Sequence, residues 1–138
     1  MVHRCLTVCA PFAHLVVAGA KTIENRQRRT HYRGTLLLHA GVRRSYGGHS
    51  ADYWTTLFNV DPRDLVCGAI VGVVNVADCQ PVESVATSVH VVGPWCWLLE
   101  NPRRLGKPVP YSGKLGLFIL DPFTLARVSE QLLRPFNV

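Results

Sequence analysis

A chain of 138 residues, 48% hydrophobic and 17% charged, is long enough to enclose a core and too apolar for a disordered segment. Its formal charge of +6 favours polyanionic partners and says nothing about fold. No apolar stretch approaches the roughly 20 residues that cross a bilayer, and no small-residue cleavage site follows a clean apolar core, which argues against membrane insertion and secretion.

Along the chain, "CLTVCA" alternates as a short strand with Leu6 and Val8 on one face. "PFAHLVVAGAK" predicts a helix with Pro11 at its start, Phe12, Leu15 and Val16 at helical spacing, and Gly19 at its close. "TLLLHA", Thr35 to Ala40, is a compact apolar run between glycines and predicts a buried strand. "HSADYWTTLFNV" predicts a helix capped by Ser50, within an insertion near residues 43–65. "GAIVGVVNVADC" is the strongest strand signal, broken only by Gly72, which marks a bulge. "GPWCWLLEN" and "GKLGLFIL" predict two further strands, with the proline-marked "PRRLGKPVPYS" as the loop between them. In "DPFTLARVSEQLLRPF", Asp121 can cap and Pro122 can open a C-terminal helix near residues 122–134. With no repeat, linker or low-complexity tract, residues 1–138 form one domain of the α+β class: a small mixed β-barrel decorated by about three helices.

The chemistry concentrates in "GAKTIENRQRRTHYRG", Gly19 to Gly34. If the first helix persists, Lys21 and Glu24 are neighbours at i, i+3, and they form either an ordinary surface ion pair or a desolvated lysine beside a carboxylate, poised as base or nucleophile. Arg26, Arg28, Arg29 and Arg33, with Tyr32 among them, are the densest positive segment. Arginine forks match phosphate geometry and arginine or tyrosine planes stack on bases, whereas on a solvated edge strand the same residues only discourage aggregation. Trp95 and Trp97, two apart, share a face if extended, and either offer a stacking surface or fill the barrel.

The five cysteines (Cys5, Cys9, Cys67, Cys79, Cys96) are odd in number and form no C-x-x-C, which reads as reduced, mostly buried thiols of a cytoplasmic protein. The six histidines show no metal spacing, and no Walker A, Rossmann or serine-elbow motif is present, so no metal and no cofactor are expected.

Three segments in this order resemble the ASCH family, whose domains are PUA-like β-barrels. They are "LTVCAPFAHLVVAGAKTIENR" with its G-x-K-x-x-E-x-R pattern, "YRGTLLLHAG", and "GAIVGVVNVADC" followed by "GPWCWLLENPRRLGKPVPYSGKLGLFIL". The resemblance implies a cleft between the first helix and the barrel, lined by Lys21, Glu24 and Arg26. It implies RNA, a nucleoside or nucleotide, or another nucleic acid as partner, with Arg28, Arg29, Tyr32, Arg33, Trp95 and Trp97 as contacts. Some relatives are amidohydrolases on N4-acetylcytidine, and a ribonuclease activity also occurs in the family. By that resemblance Lys21 and Glu24 would be the catalytic pair of a hydrolase or ribonuclease. In the amidohydrolases the lysine acts with a threonine three residues on and a distant glutamate; here Glu24 takes the threonine position, and Glu83 or Glu100 could supply the carboxylate. Cys9, Ala10 and Phe12 stand where relatives often carry arginine, glutamine and tryptophan, and Arg28 stands where a tryptophan is common. Those departures imply a different ligand fit.

Overall fold

A computed structural model describes residues 3–41, 45–46, 49–50, 53, 56–57, 59, 61, 65–85 and 91–132. The alternating opening forms β1 (Arg4–Cys9), which runs directly into α1 (Ala10–Val17) with Pro11 in its first turn. Ala18 caps that helix, and Gly19 follows at φ +83°, a conformation that glycine adopts without steric cost. Next come β2 (Ile23–Arg26) and β3 (Gly34–Gly41). β4 (Ser45–Tyr46) and β5 (His49–Ser50) pair only with each other. β6 (Ala69–Pro81), a 3-10 turn at Val82–Ser84, β7 (Trp95–Pro110), β8 (Leu117–Ile119) and α2 (Pro122–Ser129) complete the order.

Six strands form one sheet in the order β2-β7-β6-β3-β1-β8. β1 and β3 are parallel and the remaining pairs antiparallel, so the sheet is mixed, and it curls into a PUA-like half-barrel of the α+β class. Each face buries its own cluster. Leu6, Val8, Leu36, Leu38, Val74 and Val76 pack with Ala13, Val16 and Val17 of α1. Cys5, Leu37, Ile70, Val73 and Phe118 pack with Val128 of α2.

Gly72 is where the register shifts, as its place in a valine-rich strand suggests. A Cβ there would lie 2.4 Å from Val17 Cγ1 and 2.6 Å from the Arg103 carbonyl oxygen. Only glycine lets α1 approach β6 this closely. The capping expected at the last helix is also present: the Asp121 carboxylate accepts from Thr124 N–H at 2.8 Å and from Thr124 Oγ1 at 2.7 Å.

Two readings of the sequence change. The stretch holding Pro102, Pro108 and Pro110 is not a loop but part of the 16-residue β7. β2 pairs with β7 only over Trp95–Leu98, so among the described residues the outer edge of β7 beyond Leu99 has no partner strand, and a proline there removes no ladder bond. Near Lys107 the strand bulges, and the Gln131 side chain satisfies both its N–H and its carbonyl at 2.7 Å. The second change is at Ser50, which pairs with Ser45 rather than capping a helix. The helix predicted after it falls mostly outside the described residues, although Tyr53, Thr56 and Leu57 have helical backbone. Two α-helices are thus seen among the described residues, where about three were expected.

Candidate functional site

No ladder joins β2, at one end of the sheet order, to β1, the fifth strand in it. Arg26, the last residue of β2, bridges them: its Nη2 donates to the Thr7 carbonyl at 2.9 Å. The chemistry-bearing residues collect at this seam. Between α1 and β2, a main-chain turn donates Ala20 N–H and Lys21 N–H to the Leu15 carbonyl, which aims Lys21 inward. Lys21 is only 2% exposed and Glu24 8%.

Glu24 sits between two cations. Its Oε1 lies 3.4 Å from Lys21 Nζ and its Oε2 lies 3.0 Å from Arg26 Nε, the latter an ion pair without hydrogen-bond alignment. Lys21 also donates to the Ile23 carbonyl, and its ammonium lies 5.2 Å from the Phe12 ring centroid. This burial rules out the ordinary surface ion pair as a description of Lys21 and Glu24. Two cations around one carboxylate leave the cluster net positive, which suits an anionic or acceptor-rich ligand at its open side.

The β2–β7 register places Glu24 opposite Trp97 and Arg26 opposite Trp95, so all four side chains share a face. The Arg26 guanidinium lies 5.9 Å from the Trp97 ring centroid, and that of Arg29 lies 5.7 Å from Trp95. Trp97 is buried and donates its indole N–H to the Arg28 carbonyl at 3.3 Å, which draws the segment after β2 over the ring. Trp95 is half-buried, and the Arg28 and Arg29 side chains are exposed.

Tyr32 and Arg33 are used differently. The half-buried Tyr32 hydroxyl donates to the Thr35 carbonyl, the ring packs against the α1-side cluster, and burial pushes its phenol pKa up. Arg33 Nη1 donates to the Thr30 and Tyr32 carbonyls at 3.0 and 2.8 Å, and its Nη2 lies 3.3 Å from Asp78. Hydrogen bonds from the Gln80 side chain and the Cys79 N–H, and then the nearby Arg33, hold the Asp78 carboxyl below its ordinary value. Both residues therefore shape the segment that carries Arg28 and Arg29.

Two further arginines, Arg103 and Arg104, are engaged by other side chains. Arg103 bonds Asn75 Oδ1 at 3.1 Å, with its pKa lowered by burial, and Arg104 lies 2.9 Å from His14 Nε2. Arg43 and Arg44 lie outside the described residues. Glu83, in the 3-10 turn, and Glu100, opposite Asn75 on β7, are both exposed. Thr7 escaped notice in the sequence because its contribution is a main-chain carbonyl, which no side-chain pattern reveals. Phe12 stood out as an apolar helix residue and as a departure from the family pattern, and its place in the first turn of α1, directly after β1, is what brings it to the seam. Among the described residues, no group of three metal-ligating side chains comes together, and no helix is long and apolar enough to cross a membrane.

Comparison with known proteins gives a consistent result. A family model described as the ASCH domain matches residues 6–109. The human protein Activating signal cointegrator 1 is 26% identical over 128 residues; the match takes in 85% of this chain but only 22% of that protein's length. A crystal structure of an ASCH protein from Zymomonas mobilis superposes with a TM-score of 0.60 at 11% identity, covering 96% of each chain. A single-site mutant of the Zymomonas mobilis protein gives a TM-score of 0.59 at 12% identity, over 94% of this chain and 98% of that one. At such identities the superposition speaks for the fold.

Proposed function

Because the chain belongs to the ASCH family, whose PUA-like fold is generally linked to RNA binding, we propose that it is an RNA-binding module whose ligand enters the seam between β1 and β2. The observation that carries this reading is the net-positive Lys21–Glu24–Arg26 cluster, backed by Trp95 and Trp97 on one face. In this reading Arg26 and the half-buried Trp95 meet a base or nucleoside, while Arg28 and Arg29 contact phosphates on the rim. Tyr32, Arg33 and Trp97 act as supports, holding that rim in place through their main-chain bonds. Lys21 and Glu24 set the charge and shape of the floor.

Binding is favoured over catalysis by the state of Lys21. Its ammonium is engaged by the Ile23 carbonyl and the Glu24 carboxylate, and Glu24 is engaged in turn by Arg26. A general base must come within hydrogen-bond reach of the proton it takes, and Lys21 is only 2% exposed.

The test is a titration of single-stranded RNA across salt concentrations. Each phosphate contact contributes about 0.7 units of slope in log affinity against log salt on a single strand. Arg28→Ala with Arg29→Ala is expected to weaken binding alike across RNA sequences and to flatten the slope by about 1.4 units. An unchanged slope would place the RNA elsewhere, and turnover of N4-acetylcytidine that depends on Lys21 would favour the hydrolase instead.

A further inference from the structure

The segment between β7 and β8, residues 111–116, lies beyond the family match, which ends at residue 109. It is nevertheless fastened to the seam. His39, only 3% exposed, has Nε2 at 2.6 Å from the Tyr111 carbonyl oxygen and Nδ1 at 3.3 Å from Thr7 Oγ1. A carbonyl can only accept, so Nε2 carries the proton and Nδ1 is left for the Thr7 hydroxyl. Gly113 packs against this pair: a Cβ there would stand 2.9 Å from both Thr7 Oγ1 and His39 Cε1. Tyr111 stacks on Phe118 with ring centroids 6.0 Å apart and planes 4° from parallel, and the Lys114 ammonium lies 5.9 and 6.0 Å from the two rings. What this anchored loop presents is Leu115, which is 99% exposed.

A single exposed leucine needs no explanation on its own. Its position supplies one. Thr7, whose hydroxyl lies against Gly113 and His39, gives its carbonyl to Arg26. Arg26 and Gly113 therefore contact the same residue, and Leu115 follows Gly113 by two residues, about 7 Å of chain at full extension. An apolar side chain with a cation beside it thus projects from a loop anchored on the residue that Arg26 also contacts. That pairing matches the face and phosphate of an unstacked nucleotide, and neither group reaches a base face inside an intact duplex.

We propose that Leu115 and Lys114 form the second lip of the RNA site, with Leu115 packing on an unpaired base next to the nucleotide held at the seam and Lys114 facing a phosphate of the same strand. This rests on the RNA-binding reading above. It makes the loop the element that selects single-stranded over double-stranded RNA.

The experiment compares wild type, Leu115→Ala, Leu115→Phe and Arg26→Ala by fluorescence anisotropy, using a labelled single-stranded RNA and the same strand in a duplex. Because Leu115 is fully exposed, its substitutions should leave the urea midpoint unchanged. Leu115→Ala is expected to weaken single-strand binding about fivefold, near 1 kcal/mol, and to leave duplex binding alone; Leu115→Phe restores the single-strand affinity. Equal affinities for Leu115→Ala and wild type, or equal losses on both RNA forms, would overturn the inference. If Arg26→Ala weakens binding while Leu115→Ala does not, the loop inference fails and the RNA-binding reading stands. If wild type binds neither RNA, both fall. A benzophenone photocrosslinker at position 115 should label RNA; capture of a second copy of the chain in its place would also overturn the assignment.

Discussion

The Lys21 ammonium and the Glu24 carboxylate lie 3.4 Å apart, with 2% and 10% of their side chains exposed. They do not depend on each other equally. Glu24 keeps Arg26 if Lys21 is lost, whereas Lys21 without Glu24 retains only the Ile23 carbonyl and the Phe12 ring. Removing one partner of a buried pair costs about 3–5 kcal/mol when the other is left uncompensated. Glu24→Gln is therefore expected near that range and Lys21→Met well below it. The double variant should recover more than about 1 kcal/mol relative to the sum of the singles, read by urea unfolding. Equal and small single effects would mean that the pair is solvated in solution.

Gly72 governs how α1 rests on the sheet. Gly72→Ala places a methyl group inside contact distance of both Val17 and the Arg103 carbonyl. Overpacking of this kind costs about 1–3 kcal/mol, and the rigid carbonyl puts the expectation at the upper end. Adding Val17→Ala should restore only part of the loss, because it removes the side-chain clash and leaves the main-chain one. A thermal melt of Gly72→Ala that matches wild type would show that α1 can lift off without cost.

The cysteines differ sharply in accessibility. Cys67 is exposed, while Cys5, Cys79 and Cys96 are buried, and burial pushes the Cys5 thiol from 9.0 up to about 12. A thiol whose folded value is raised holds its proton more tightly when folded. Its contribution to stability is fully present below pH 9.0 and is lost as the pH rises toward about 12. Native maleimide labelling followed by mass spectrometry should find Cys67 modified first and Cys5 protected until denaturant is added. Urea midpoints should decline across the same alkaline window. Labelling of Cys5 as fast as Cys67 would contradict its burial.

Much of the fold can be read from neighbours in the chain. The passage from β1 into α1 at Pro11, the stop at Gly19, the valine run of β6, and the Asp121–Pro122 helix start all rest on interactions within a few residues. Such interactions act in any context, so the residue types suffice. The G-x-K-x-x-E-x-R spacing likewise marks where the site lies. It does not tell whether Lys21 is solvated, because its burial comes from α1 and the sheet folding around it. Nor does it show that Arg33 is held by Asp78, 45 positions away, or that Arg26 bridges to Thr7, 19 positions away. β7 is the clearest case. Its prolines signal a loop by every local rule, and they are tolerated because β2 is too short to pair with that edge. Whether a backbone donor is needed at a given position depends on what lies beside it in space. That neighbour is chosen by the sheet order β2-β7-β6-β3-β1-β8, which brings together segments far apart in the chain.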